Sequence, residues 1–313
     1  MTAAAIDLGT NTFHLIIARS AAEGMEVVYK TTVPVKLGEG RINENIIIPE
    51  AFERGLVALE GFAATIQAYQ PDVVMATATS AVRSASNGAD FVQAAFTRTG
   101  IRIETISGDQ EAKYIFKGVK ATGLITGTSL VMDIGGGSTE FILCKADEMI
   151  WKRSYDIGAA RLMQAFFKSD PLSTEEKAAI IGHLDNTLPD LLEVCREHQP
   201  DILIGSAGAF ESFSGMLQIQ KDPTPGLQSP AAINITSASI DIAGYRILAE
   251  RLIHSTHLER VNMPGLIPLR VDMIVIAALL VNYVLENTTV SQISLSTNDL
   301  KMGVLYTLLE PES

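Results

Sequence analysis

Two short stretches of this chain set a carboxylate beside a glycine-rich turn. The first reads Ile6-Asp7-Leu8-Gly9-Thr10-Asn11-Thr12. The second reads Met132-Asp133-Ile134-Gly135-Gly136-Gly137-Ser138-Thr139-Glu140. At a constant offset of 126 residues, Asp7 matches Asp133, Gly9 matches Gly135 and Thr12 matches Ser138. Turns of this kind aim backbone N–H groups and hydroxyls at an anion. Three consecutive glycines weaken local structure, and a sequence keeps them where backbone must approach a ligand closely. Asp133 and Glu140 flank the second turn, so an anion bound there would be repelled unless a cation sat between them. Mg²⁺ is the usual solution, held by few carboxylates together with phosphate oxygens and water. Asp7 can orient a metal-bound water. One such turn alone is equally consistent with a hairpin in which Asp is the turn former. The second, matching copy is what argues for a site.

Each Asp follows an apolar strand-like run, and each turn leads into another, over 13–18 and 141–144. The repeated order of strand, Asp, turn and strand predicts two related α/β domains that face each other, each lending one turn to a shared cleft. Further strands are expected over 25–37, 72–77, 101–106, 201–205 and 290–296. Helical periodicity marks 49–69, 108–119 and 299–309. A capping box, Ser173-Thr174-Glu175-Glu176, opens a long helix running toward Arg196. Residues 218–236, with Pro223, Pro225 and Pro230, read as a mobile loop. Strands alternating with helices give an α/β class with mixed or parallel sheets.

Composition narrows the function. Of 313 residues, 47% are hydrophobic and 19% charged, which is globular and not disordered. The net charge of -12 argues against a nucleic-acid partner. That charge is uneven: residues 1–124 hold 11 Lys+Arg and 13 Asp+Glu, and residues 125–313 hold 13 and 23. The most apolar stretch, 271–285, is short for a bilayer and carries Asp272 and Asn282, so a buried helix is expected and no membrane association. No basic segment precedes the first apolar run, and the two cysteines, Cys144 and Cys195, make no disulfide framework. A cytoplasmic location follows, with both thiols as core filler. His254 and His257 lack a third ligand nearby, and His14 is expected to be structural.

The two Asp-bearing turns resemble the phosphate motifs of the actin-like ATPase superfamily. Within it, the chain is similar to the Ppx/GppA phosphatases. Residues 6–15 look like their opening, Thr77-Ala-Thr-Ser-Ala-Val-Arg83 like their Arg-bearing turn, and Ser107-Gly-Asp-Gln-Glu-Ala112 like their catalytic turn. Asp133 to Glu140 matches the second phosphate motif, and Pro264-Gly-Leu with Arg270-Val-Asp272 resembles a later segment. The resemblance implies two actin-like (ribonuclease H-like) domains with the active site between them. Residues 1–124 would form the first and 125–298 the second, with helix 299–313 returning to the first. It also implies Glu111 as general base on water and Arg83 as the cation that offsets phosphate charge. Asp133 and Glu140, helped by Asp7, would hold Mg²⁺. Thr10, Asn11, Thr12 and Gly135, Gly136, Gly137, Ser138 would grip terminal phosphates.

The implied activity is release of terminal phosphate from inorganic polyphosphate or guanosine pentaphosphate. Two departures stand out: Gln110 where a second Glu is common, and Gly205-Ser-Ala-Gly208 where the nucleotide-side turn is usually Gly-Thr-Gly-Gly. The chain resembles the short, two-domain form of the family. Lys113, Lys117 and Lys120 share one helical face and are either a track for a polyanionic tail or a solvated face. Two alternatives stay open: a kinase of the same superfamily, and a polyphosphate or guanosine-polyphosphate binding protein without turnover. Pairing as a homodimer stays open too.

Overall fold

The computed structural model describes residues 1–22, 24–146, 148–206, 208–221 and 236–310. Its strands form two sheets. β1 (Thr2–Leu8), β2 (Thr12–Ser20), β3 (Met25–Pro34), β4 (Val73–Ala78) and β5 (Ile103–Thr105) lie in the order β3-β2-β1-β4-β5. β6 (Thr128–Ile134), β7 (Thr139–Lys145), β8 (Glu148–Tyr155), β9 (Ile202–Ser206), β10 (Ser237–Ile240) and β11 (Gln292–Ser296) lie in the order β10-β11-β9-β6-β7-β8. β1, β2 and β3 pair antiparallel, and β4 and β5 continue parallel from β1. β6, β7, β8, β9 and β11 repeat that plan strand for strand, with β10 added antiparallel at the edge. The sequence repeat is therefore a repeat of topology.

Helices cover the sheets. They are α1 (Pro49–Tyr69), α2 (Ser80–Ser84), α3 (Gly88–Thr99), α4 (Gly108–Lys120), α5 (Ala159–Phe166) and α6 (Thr174–Thr187). The remainder are α7 (Pro189–His198), α8 (Gly208–Lys221), α9 (Ile242–Ile253), α10 (His257–Val261), α11 (Ile274–Asn287) and α12 (Leu300–Leu309). Both central strands, β1 and β6, are buried on both faces, which is why they read as continuous apolar runs and not as alternating ones. Ala4, Ile6 and Leu8 face a core made with α1 and α3, whereas Ala3 and Ala5 face the other way. Leu130 and Met132 look outward to a larger core, whereas Val131 looks inward.

The inward faces of both sheets share one cluster with α4 and α12, including Ile115, Val119, Val304 and Leu305. Glycines let these two helices touch. A Cβ on Gly118 would lie 2.5 Å from the Asp299 carbonyl oxygen, and one on Gly303 would lie 1.8 Å from that of Tyr114.

Two expectations change. The long helix toward Arg196 is two helices, because Pro189 starts α7 and leaves Leu188 as the break. Of the loop expected over 218–236, Gln218 to Lys221 instead complete α8, and 222–235 lie outside the described residues. Residues 274–285 form the buried helix expected, within α11. Among the described residues no helix is long and apolar enough to cross a membrane. Cys144 and Cys195 are buried and unpaired.

Candidate active site

The repeat builds the two turns identically. Gly9 N–H donates to the Thr12 carbonyl at 3.1 Å, and Gly135 N–H to the Ser138 carbonyl at 3.0 Å. Strand register then puts Asp7 opposite His14 and Thr77, and Asp133 opposite Glu140 and Ser206. Side chains alternate along a strand. Asp7 therefore shares the inward face of Ala3 and Ala5, and Asp133 that of Val131. All of these polar groups end up on the side where α4 and α12 lie.

The turns also meet each other. A Cβ on Gly136 would come within 2.4 Å of Asn11 Nδ2, and one on Gly137 within 2.7 Å of Thr10 Oγ1 and 2.6 Å of Ser80 Oγ. Here the glycines are needed for close approach. Ser80 Oγ is buried without a hydrogen-bond partner beside this contact. Asn11 turns its amide to Met273, donating to Sδ at 2.8 Å. Arg161 braces the outside: Nε donates to the Gly137 carbonyl at 3.1 Å and a terminal nitrogen to the Ile42 carbonyl at 3.1 Å.

Glu111 enters from α4. Ser107 caps that helix by accepting from the Gln110 N–H at 3.2 Å, so position 110 serves the cap through its backbone whatever its side chain. Gly108 is a point of close contact with the second sheet, since a Cβ there would lie 2.4 Å from Ser154 Cβ. Asp109 forms an ion pair with Lys152 of β8 at 3.1 Å. Ser154 Oγ donates to Glu140 Oε1 at 2.6 Å, and Ser138 Oγ donates to the same oxygen at 2.7 Å. Arg83, in the last turn of α2, donates to Glu111 Oε2 at 2.8 Å and to the Ile106 carbonyl at 3.1 Å. Its first partner here is thus the proposed base, a contact sequence reasoning did not foresee.

Burial drives the electrostatics. It raises Glu111 well above the usual carboxylate range; the charge on Glu140 adds to this, and Arg83 opposes it. Asp133 is also raised well above its ordinary value by burial, then by Glu140 and Asp299, with the Ser206 hydrogen bond opposing. Burial raises Glu140 against the hydrogen bonds from Ser154 and Ser138. Asp7 is pushed up to about 7 by burial, against the pull of Lys301.

These acids repel one another and have few fixed cations. That donor set fits a divalent cation taken up with an anionic ligand. Among the described residues no three His, Cys, Asp or Glu side chains converge into a cage that would hold a metal by protein ligands alone. Such a pair of facing carboxylates, Asp133 and Glu140, suits Mg²⁺, which keeps waters and ligand oxygens in its shell.

His14 keeps both ring nitrogens engaged, with Thr12 Oγ1 at 2.8 Å and Thr32 Oγ1 at 2.9 Å. Burial holds it well below the ordinary histidine range, so it is neutral and structural. The lysine stripe faces elsewhere. At 100° per residue, Lys113, Lys117 and Lys120 sit about 120–180° around α4 from Glu111. Glu111 is buried while Lys113 is exposed, and Lys117 pairs with Glu310 at 2.6 Å. The stripe does not border the acids. Sequence reasoning missed Asp299, Lys301, Ser154 and Ser206. Ser206 was read only as part of the Gly205–Gly208 turn and the other three sit in no motif; each arrives through strand register or helix packing.

A family model for the Ppx/GppA phosphatase family matches residues 16–312. The chain belongs to this family. The Ppx/GppA relatives include guanosine-5'-triphosphate,3'-diphosphate pyrophosphatase of Pseudoalteromonas translucida, 28% identical over 98% of this chain. This chain spans 59% of that protein's length. A Haemophilus influenzae protein provisionally named exopolyphosphatase is 30% identical over 97% of this chain and 90% of its own. The crystal structure of an exopolyphosphatase from Cytophaga hutchinsonii superposes with a TM-score of 0.91 at 34% identity, covering 99% of this chain and 98% of that one. The two-domain actin-like α/β fold expected from the sequence is therefore the fold of the Ppx/GppA phosphatases.

Proposed function

We propose that this chain is a phosphohydrolase that releases the terminal phosphate of a polyphosphorylated anion, inorganic polyphosphate or guanosine pentaphosphate. One observation carries the reading: the buried Glu111 carboxylate is bonded to Arg83 and feels the charges of Glu140 and Asp7, the acids that flank the two touching glycine turns. Hydrolysis needs a base on water, donors around the transferred group and an in-line approach.

Glu111 takes the proton from water, and burial, which raises its carboxyl well above the ordinary value, makes it a stronger base than a solvated glutamate. Arg83 orients the carboxylate and offers charge to the phosphate. Backbone N–H groups of the turns, that of Ser138 among them, with the Thr10 and Thr12 hydroxyls, hold the equatorial oxygens. Asp133 and Glu140, with Asp7 behind them, would hold Mg²⁺, which on binding supplies charge withdrawal from the leaving oxygen. Ser138 and Ser154 fix the Glu140 carboxylate for that task. The names of the two curated relatives and the crystallographic neighbour support hydrolysis over transfer to an acceptor.

The test is phosphate release by the purified chain with Mg²⁺ from tripolyphosphate, longer polyphosphates, guanosine pentaphosphate and ATP. Release with no added acceptor is expected. Tight binding without release would leave a binding protein, and dependence on an acceptor would leave a kinase.

A further inference from the structure

The cation that governs one side of the acid cluster comes from the far end of the chain. Lys301 lies in the first turn of α12 and forms an ion pair with Asp299, the residue that precedes that helix. Both are largely buried, with side-chain exposures of 20% and 11%. Only one oxygen of Asp299 is used. Oδ1 is buried and has no hydrogen-bond partner. A self-contained structural pair would satisfy both oxygens, because an unpaired buried polar atom is costly.

The same segment is tied to both halves of the site. Asn298 Nδ2 donates to the Gly118 carbonyl at 3.2 Å on α4, the helix of Glu111. Ser206 Oγ lies 2.9 Å from Asp133 Oδ2 and 3.4 Å from the Asn298 carbonyl. α12 packs on β1, the strand that carries Asp7.

Resting on the metal-and-polyanion reading above, we propose that Lys301 is a positioning residue that serves as the built-in cation of the Asp7–Asp133 side of the cleft, as Arg83 does on the Glu111–Glu140 side. Its charge is felt by Asp7, Asp133 and Glu211, whereas Arg83 is felt by Glu111 and Glu140. Burial works against the Lys301 ammonium, but Asp299 and Asp7 outweigh it and keep it charged. A fixed ammonium at this place weakens the pull of the acids on free divalent cations and strengthens their tolerance of a polyanion. The site then favours metal and anion arriving together.

Opposite-sign binding effects separate this role from a structural one. The probes are Mn²⁺ alone and pyrophosphate in excess chelator, each titrated calorimetrically into the substrate-free protein. Lys301→Met should bind Mn²⁺ about fivefold tighter or more and pyrophosphate about fivefold weaker or more, as expected for losing one nearby charge. Lys301→Arg should match wild type on both probes. Asp299→Asn keeps the ammonium and should move both affinities the other way. If Lys301→Met does not fold, Asp299→Asn decides alone: weaker Mn²⁺ and tighter pyrophosphate support the role, and any other result overturns it. Variants that shift Mn²⁺ binding in the same direction, or leave both affinities unchanged while melting earlier, would reduce the pair to a structural ion pair. Wild-type protein that binds neither probe would overturn the functional reading together with this proposal.

Discussion

Replacing Asp7 with Asn should stabilise the metal-free protein while disabling it as a catalyst. Burial pushes the Asp7 carboxyl from 3.8 to about 7. Its ionised form is therefore disfavoured in the fold relative to the unfolded chain. For an acid with a raised folded pKa, the folded state binds the extra proton. Stability is then greatest below the unfolded value and falls as pH rises through the window between about 4 and 7. Each unit is about 1.4 kcal/mol, so the ionised side chain costs at most about 4 kcal/mol above pH 7. Asn carries no such cost.

Relative to wild type, the gain should widen by about 2 kcal/mol between about pH 5.5 and pH 8, the part of the window that this interval spans. Lys301 gives some of it back, since its charge is supported partly by Asp7. The assay is urea unfolding of both proteins in chelator at the two pH values. A variant no more stable than wild type at the higher pH, or a difference that does not change with pH, would refute the electrostatic account of the cleft.

Further outcomes follow from the same geometry. Glu111→Gln should lower the rate of phosphate release by about 10²–10⁴-fold and leave substrate binding largely intact, as checked by initial rates and calorimetry. Arg83→Ala removes the group that pulls Glu111 down, so the acid limb of the kcat/KM profile should move to higher pH; an unmoved limb would return Arg83 to phosphate contact alone. Gly108→Ala should cost about 1–3 kcal/mol by overpacking against Ser154 and should slow turnover, both read on the same preparation. Changing Lys113, Lys117 and Lys120 together to Gln should affect tripolyphosphate and longer chains equally, because the stripe faces away from Glu111. A selective loss on long chains, seen on gels, would restore it as a tail track.

Much of the site could be read before the fold, for a physical reason. A repeated turn leaves a repeated pattern, and the matched bonds from Gly9 to Thr12 and from Gly135 to Ser138 are that pattern in three dimensions. The same offset pairs His14 with Glu140, and the register confirms that they occupy equivalent places opposite Asp7 and Asp133. Residues whose position depends on packing between distant elements were hidden. The Lys301 charge acts on Asp7 because α12 packs on β1, with Gly118 and Gly303 letting it lie against α4 as well. Ser154 reaches Glu140 across β7 and β8, a strand pair the sequence left half unassigned. The lysine stripe had the right spacing for one helical face, but spacing does not say which face meets the cleft.

Single-turnover hydrolysis of tripolyphosphate with Mg²⁺ in ¹⁸O-labelled water, by wild type and Glu111→Gln, tests the central claim most directly. The account requires one solvent oxygen in each released phosphate and a rate lower by about 10²–10⁴-fold in the variant. Unlabelled phosphate, or a variant as fast as wild type, would contradict it.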